Sequence, residues 1–170
     1  MSEVRLVDEQ HRGDYAKHRL AEFIANCRRK QMAVTPQRIA VMRALLESGD
    51  HPRAERIYTL VRRQHPRISL ATVHRTLETL CEIGEARKVT PLYESARYDG
   101  NTGPHHHVVC VRCKRVEDLE APEFDTLLAG RRTLGEFELL GCSVEVRALC
   151  SRCRRRAGLR SRPAAGNTAP

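Results

Sequence analysis

Two Cys-x-x-Cys pairs, Cys110-Val-Arg-Cys113 and Cys150-Ser-Arg-Cys153, lie in the last third of the chain. Four thiolates in two closely spaced pairs suit a tetrahedral zinc ion, because each x-x spacing lets two sulfurs from one tight turn reach the same metal. The pairs are 36 residues apart, further than in a simple zinc ribbon, so such a site would staple a complete small fold. A triple histidine, His105-His106-His107, sits just upstream of the first pair. Four sulfurs already fill a tetrahedron, so the histidines imply a second metal site with nitrogen and oxygen ligands. Two sites of different softness in a small basic chain point toward metal sensing. The alternative for the paired cysteines is redox-active or buried thiols. Cys27 and Cys81 stand among apolar residues at helical spacing and read as core; Cys142 falls outside both pairs.

The chain has 170 residues, enough for one domain or two small ones. Its opening is charged throughout and does not resemble a signal peptide, and no apolar run is long enough to span a membrane. A reducing cytoplasm fits both facts and favours zinc over disulfides among the seven cysteines. The net charge of +9 owes most to six arginines after residue 150, in a stretch with no acid. A better pointer to nucleic acid is local. From His51 to Leu77 there are six arginines and one acid, Glu55, a segment able to neutralise phosphates or simply to form a solvated basic face.

The elements that must position these residues follow from periodicity. Residues 1–13 read as a polar extension. Ala16, Leu20, Phe23, Ile24 and Cys27 predict a helix over 14–31. Thr35-Pro36 opens a second, Arg53–Gln64 a third, and Ser69 a fourth that Gly84 closes. The fourth carries Leu70, Val73, Leu77 and Leu80 inward and Thr72, His74, Arg75, Thr76 and Thr79 outward, a surface suited to a major groove. Strands at Ala86–Val89 and Leu92–Ser95 or slightly beyond complete a winged helix. After the turn-rich 99–104, strands at His107–Val111, Val116–Leu119, Phe137–Leu140 and Ser143–Leu149, with a helix at Glu123–Leu134 burying Phe124, Leu127 and Leu128, predict a small α+β unit. Residues 156–170 read as a disordered Arg-rich tail.

Thr35-Pro36-Gln37-Arg38, His51-Pro52, the run Ser69-Leu-Ala-Thr-Val-His-Arg-Thr-Leu77, the block His105 to Cys113, and Cys150-Ser-Arg-Cys153 occur together and in one order over roughly residues 15–155. In that combination the chain resembles the ferric uptake regulator family of metal-dependent repressors. The resemblance implies an N-terminal winged-helix DNA-binding domain (14–98), a hinge (99–104) and a small α/β dimerisation and metal-sensing domain (105–155) with structural zinc. It implies Zn(2+) on Cys110, Cys113, Cys150 and Cys153. It implies a regulatory Fe(2+) or Mn(2+) on His51, Asp99, His105, His107 and Asp118, with Asp99 contributed by the hinge. Three imidazoles and two carboxylates agree with such an ion. The partners implied are a double-stranded DNA operator and a second copy of the chain, with DNA contacts from Arg38, Ser69, Thr72, His74 and Arg75. His105 and His107 alternate along a strand and share a face; His106 points the other way, to the surface or behind the ligands. Taken singly, His51 is also compatible with capping the third helix, Asp99 with an ordinary turn, and Asp118 with a solvated strand.

An aspartate at position 118 resembles the peroxide-sensing branch of the family, where iron sensors usually carry glutamate; the adjacent Glu117 makes this depend on strand register. No cysteine stands near Asp99, unlike the zinc-sensing branch. The chain departs from the family at His74, where tyrosine is common, at Pro104 and Cys142, which argue against a further sensor-domain metal site, and in its Arg-rich tail. The expected function is therefore a metal-dependent repressor that senses peroxide through oxidation of His51 or His105. Sensing of Fe(II) or Mn(II) availability without oxidation is the alternative. A metallohydrolase with a His/Asp site is the reading from another class, but no base or nucleophile stands out. A zinc-stabilised RNA-binding module would want more than seven aromatic side chains.

Overall fold

The computed structural model describes residues 5–6, 12–89 and 95–159. A short strand β1 (Arg5–Leu6) precedes four helices, α1 (Arg12–Arg29), α2 (Pro36–Glu47), α3 (Ala54–Arg62) and α4 (Leu70–Glu82). Each helix has one apolar stripe, and the stripes close on one core. Phe23, Val41, Met42, Ile57, Val73, Leu77 and Leu80 are fully buried there. The helix starts are specified locally. Thr35 accepts from the Arg38 amide at 3.2 Å with Pro36 in the first turn, and Ser69 accepts from the Thr72 amide at 3.0 Å. Gly84, at φ +77, provides the left-handed turn after α4.

A two-stranded wing follows, β2 (Arg87–Val89) and β3 (Arg97–Asp99), with Arg87 opposite Asp99 and Lys88 opposite Tyr98. The expected second strand at Leu92–Ser95 is therefore displaced: pairing begins at Arg97, and residues 90–94 lie outside the described residues. Tyr98 is the reason. Its ring joins the helical core and its hydroxyl donates to Glu78 Oε1 at 2.8 Å, which fixes the register from the α4 side. Asp99 is consequently the last residue of β3.

The second layer is a four-stranded sheet of order β1-β5-β4-β8, with β4 (His106–Cys110), β5 (Val116–Glu120) and β8 (Glu145–Ala148). β4 and β5 form an antiparallel hairpin, and β8 lies parallel to β4. A parallel partner needs a long crossover. Here it holds α5 (Pro122–Asp125) and the small hairpin β6 (Thr133–Leu134) and β7 (Phe137–Glu138). The helix expected over Glu123–Leu134 is thus one turn only. Thr126 bonds back to the Glu123 carbonyl at 2.8 Å, Gly130 takes φ +78, and Leu127 is 61% exposed rather than inward. The expected polar extension also departs from expectation: Arg5 and Leu6 pair with Glu120 and Leu119 of β5. At the other end α6 (Ser151–Arg156) carries the helix one residue into the expected tail, whose residues 160–170 lie outside the described set.

One backbone approach ties the layers together. A Cβ on Gly100 would lie 2.9 Å from Leu46 Cδ2 and 3.4 Å from Leu45 Cγ, so any larger residue where the chain leaves β3 would push the Leu46 side chain aside. Gly100→Ala is expected to cost about 1–3 kcal/mol in urea unfolding, the range for overpacking a core, with the zinc content of the folded protein unchanged.

Candidate metal centres

The first centre is built by two tight turns. Cys110 ends β4, and the turn after it closes with Lys114 N donating to Cys110 O at 2.9 Å, helped by the positive φ of Lys114. Cys150 caps the short α6, which brings Cys153 round one turn later; Arg154 N donates to Cys150 O at 2.9 Å. Arg112 reaches across to the Cys153 carbonyl at 3.3 Å. The four sulfurs of Cys110, Cys113, Cys150 and Cys153 all lie within 4.8 Å of one another, and every cysteine is free. Burial alone would raise the Cys110 thiol. The backbone N–H groups of Cys113, Cys150 and Arg112 outweigh it and bring the group down to about 6. Cys153 is instead pushed up, by burial and by the neighbouring sulfurs. Such a set wants a cation, and its composition is that of a closed four-cysteine zinc site.

The second centre lies where the wing meets the sheet. His51 comes from the loop before α3, Asp99 from β3, His105 and His107 from the start of β4, and Asp118 from β5. One donor atom each from His51, Asp99, His105 and His107 lies within 4.8 Å of the others, and all four residues are buried. Asp118 joins them. Its Oδ1 is 2.9 Å from His51 Nε2 and 3.9 Å from His105 Nε2. The register places Asp118 opposite His107 and Glu117 opposite Val108, so Asp118, not Glu117, faces the cluster.

Each ligand is held from outside. His105 Nδ1 faces the Gly103 carbonyl at 2.9 Å, an arrangement in which Nδ1–H donates and Nε2 turns its lone pair inward. His51 adopts φ +49, costly for a residue with a Cβ. It is held there because Arg97 donates to its carbonyl at 3.1 Å and Tyr98 N donates to the Pro52 carbonyl at 3.0 Å. The neighbouring β3 residue is Asp99 itself. His51 does not cap α3, whose start at Arg53 has no side-chain cap.

The inward atoms are crowded yet unsatisfied. Asp99 Oδ2 lies 2.9 Å from His105 Nε2, and the His105 and His107 Nε2 atoms are 3.0 Å apart. Among the described residues Asp99 Oδ2, Asp118 Oδ1 and both nitrogens of His51 lack an aligned hydrogen bond. Buried polar atoms left so are expensive unless a cation completes them. Burial would raise Asp99, but His105, His107 and His51 hold it well below the usual carboxylate range. Asp118 is likewise lowered, by His51 against the cost of burial, and His105 is raised, by Asp99 against its own burial. The nitrogen–oxygen donor set suits a borderline-to-hard divalent ion.

His106 points away from His105 and His107 as expected, but of the two places expected for it, surface or behind the ligands, the surface is ruled out by burial. It is 1% exposed on the opposite face of β4, accepting at Nδ1 from Val144 N at 3.2 Å, with Nε2 3.2 Å from Asp125 Oδ1 and its ring edge-on to Phe124. The proposed DNA-facing residues are spread over α2 and α4. His74 and Arg75 are exposed on α4, and Ser69 and Thr72 share a hydroxyl contact at 2.8 Å. Arg38 is half-buried and its guanidinium donates to the Ala33 carbonyl. Sequence reasoning passed over Asn101 and Tyr15, which contact each other beside the second centre. The only signal was a turn-rich Asp-Gly-Asn-Thr-Gly-Pro run, which does not say what an asparagine there touches.

A winged helix joined to a small sheet, with a thiolate centre and a His/Asp centre at the junction, defines a metal-responsive regulator. The chain belongs to the Ferric uptake regulator family, whose model matches residues 29–147. It is 33% identical over 137 residues to the peroxide-responsive repressor PerR of Staphylococcus epidermidis, covering 81% of this chain and 91% of that one. Among solved structures, the peroxide stress regulator of Campylobacter jejuni superposes with a TM-score of 0.61 at 30% identity, over 69% of this chain and 89% of that chain. A zinc uptake regulator complexed with zinc and DNA superposes at 0.58 with 25% identity, over 84% and 97%. Among the described residues no helix is long and apolar enough to cross a membrane.

Because zinc binding in such a cluster is part of the folding free energy, Cys113→Ser is expected to lose bound zinc and to melt at lower temperature. Full zinc content with an unchanged melting curve would show that the four sulfurs do not share an ion.

Proposed function

We propose that the protein is a cytoplasmic, homodimeric, metal-dependent repressor that senses peroxide. In this reading residues 14–98 bind the DNA operator, 99–104 form the hinge, and 105–155 form the dimerisation and sensing domain. Cys110, Cys113, Cys150 and Cys153 hold structural zinc. His51, Asp99, His105, His107 and Asp118 hold a regulatory Fe(II) or Mn(II). The observation that carries the reading is the convergence of five ligand-type side chains, from the winged-helix half and from the sheet, with inward oxygens and nitrogens left unbonded.

The chain's own residues do most of the work. His51 and Asp99 belong to the same half of the molecule as α4, whereas His105, His107 and Asp118 are fixed to the sheet. Satisfying all five at once draws the two halves to one angle, and with them the α4 faces of a dimer. Exposed His74 and Arg75, with Ser69 and Thr72 at the helix start, would then meet base edges and phosphates; Arg38 would add a contact from α2. Fe(II), when bound, would supply the one-electron reduction of peroxide that adds oxygen to His51 or His105. An oxidised imidazole is a poorer ligand, so the halves would relax and DNA would be released. The peroxide step is supported by the likeness to peroxide-responsive relatives and by the short Asp118 side chain that faces His51.

Operator binding measured with Fe(II), with Mn(II) and after brief peroxide tests this. Both metals are expected to promote binding, and His107→Ala to be unresponsive. Peroxide is expected to abolish binding only of the Fe(II) protein, with one added oxygen on His51 or His105 by peptide mass spectrometry. DNA release with unmodified histidines would turn the account to oxidation at Cys110 and Cys113; no release at all would leave a sensor of metal availability.

The recognition surface has its own test. Arg75→Ala is expected to weaken binding and to lower the salt slope by about 1. Thr72→Ala is expected to weaken binding as well. Unaltered affinity and salt dependence in both would remove α4 from the interface.

A further inference from the structure

We infer that Asn101 is a positioning residue that sets how the carboxylates and His105 present themselves to the regulatory ion, with Tyr15 of α1 holding it in place. The inference rests on the reading of the His51–Asp118 cluster as a metal centre.

Asn101 uses its backbone N–H and both ends of its side-chain amide. Its backbone N–H donates to Asp99 Oδ1 at 2.7 Å. Its Nδ2 donates to Asp118 Oδ2 at 3.4 Å. Its Oδ1 accepts from Gly103 N at 3.2 Å and from the Tyr15 hydroxyl at 3.1 Å. Gly103 in turn offers its carbonyl to His105 Nδ1 at 2.9 Å. One residue therefore touches Asp99 and Asp118 directly and reaches His105 through one intervening residue, Gly103.

The division between oxygens is the telling part. Each carboxylate has one oxygen bonded to Asn101 and the other nearer the imidazoles. Asp99 Oδ1 accepts from Asn101 N and stands 3.8 Å from His51 Nε2, while Oδ2 is 2.9 Å from His105; Asp118 Oδ2 accepts from Asn101 Nδ2, while Oδ1 is 2.9 Å from His51. The inward pair, Asp99 Oδ2 and Asp118 Oδ1, are the ones without an aligned hydrogen bond among the described residues. Asn101 thus makes both carboxylates one-oxygen ligands. Three imidazoles and two such carboxylates supply five donor atoms. If the outer oxygens were released, each carboxylate could chelate, and the donor count would rise above five. Tyr15 adds a link from the first helix of the DNA-binding half to this loop, although it is itself 39% exposed, so its share is smaller.

The test is titration of zinc-replete protein with Co(II), read by the visible ligand-field spectrum, which is stronger for five-coordinate than for six-coordinate Co(II). Asn101→Ala is expected to lower Co(II) affinity about 10–100-fold, the range for losing an outer-shell partner, and to weaken the visible bands as Asp118 takes up the ion with both oxygens. Tyr15→Phe is expected to shift affinity the same way by about two- to fivefold, the loss of one exposed hydrogen bond. Zinc content and far-ultraviolet dichroism establish folding. Should Asn101→Ala lose either, Asn101→Asp replaces it; it is isosteric and keeps the acceptor but not the Nδ2 donor, and the same weakening of the bands is expected. His107→Ala in parallel separates the two levels. If His107→Ala binds Co(II) like the parent protein, the metal-centre reading fails. If His107→Ala loses binding while the Asn101 variant keeps parental affinity and spectrum, the Asn101 inference alone is overturned.

Discussion

Two buried carboxylates and three imidazoles packed within a few ångströms impose the main constraint on this molecule. Asp99 is 5% exposed and His51 4%, and their inward atoms make no aligned hydrogen bonds among the described residues. The crowding lowers Asp99 and Asp118 and raises His105, each against the effect of its own burial. A divalent ion, in the function proposed above, would offset the cost of burial by meeting all five donors at once. The approach of the winged-helix half to the sheet is the geometry in which that can happen.

The surrounding scaffold serves this one place. β3 is only three residues long, yet Arg97 holds the His51 carbonyl, Tyr98 holds the Pro52 carbonyl and Glu78, and Asp99 brings a carboxylate into the His/Asp cluster. Through Tyr98 and Glu78 the strand is bonded to α4, the helix proposed to read DNA. Asp99, next along the strand, is therefore one residue from a hydrogen bond to α4. In the proposed function the angle between the halves would be the element that this path biases.

The two centres differ in softness and in freedom, but they share a strand. β4 begins beside His105 and His107 and ends at Cys110. A closed sulfur site at one end anchors the strand that carries two nitrogen ligands at the other. The register of β4 against β5 then decides that Asp118 rather than Glu117 faces inward. Soft ligands keep zinc; the nitrogen–oxygen set remains available to a harder, exchangeable ion.

The residue types and spacings alone determined much of this. Cys-x-x-Cys spacing is a local property of a turn, helical stripes and caps are local properties of a segment, and all four helices were legible for that reason. The ordered motifs carried the family, and the resemblance named five side chains that the fold brings together. Tertiary structure decided what local rules cannot. The wing strand moved to Arg97 because Tyr98 packs into a core assembled from distant helices. The helix expected over Glu123–Leu134 stopped after one turn, at a Thr126 back-bond and ahead of a left-handed Gly130. His106 became buried because Phe124, Asp125 and Val144 arrive from the crossover. The choice between Asp118 and Glu117 is a one-residue matter of strand register, which sequence leaves open and cross-strand pairing settles. The place of Asn101 is of the same kind: its partners Tyr15 and Asp118 are 86 and 17 residues away, and only the closed fold brings them to one amide.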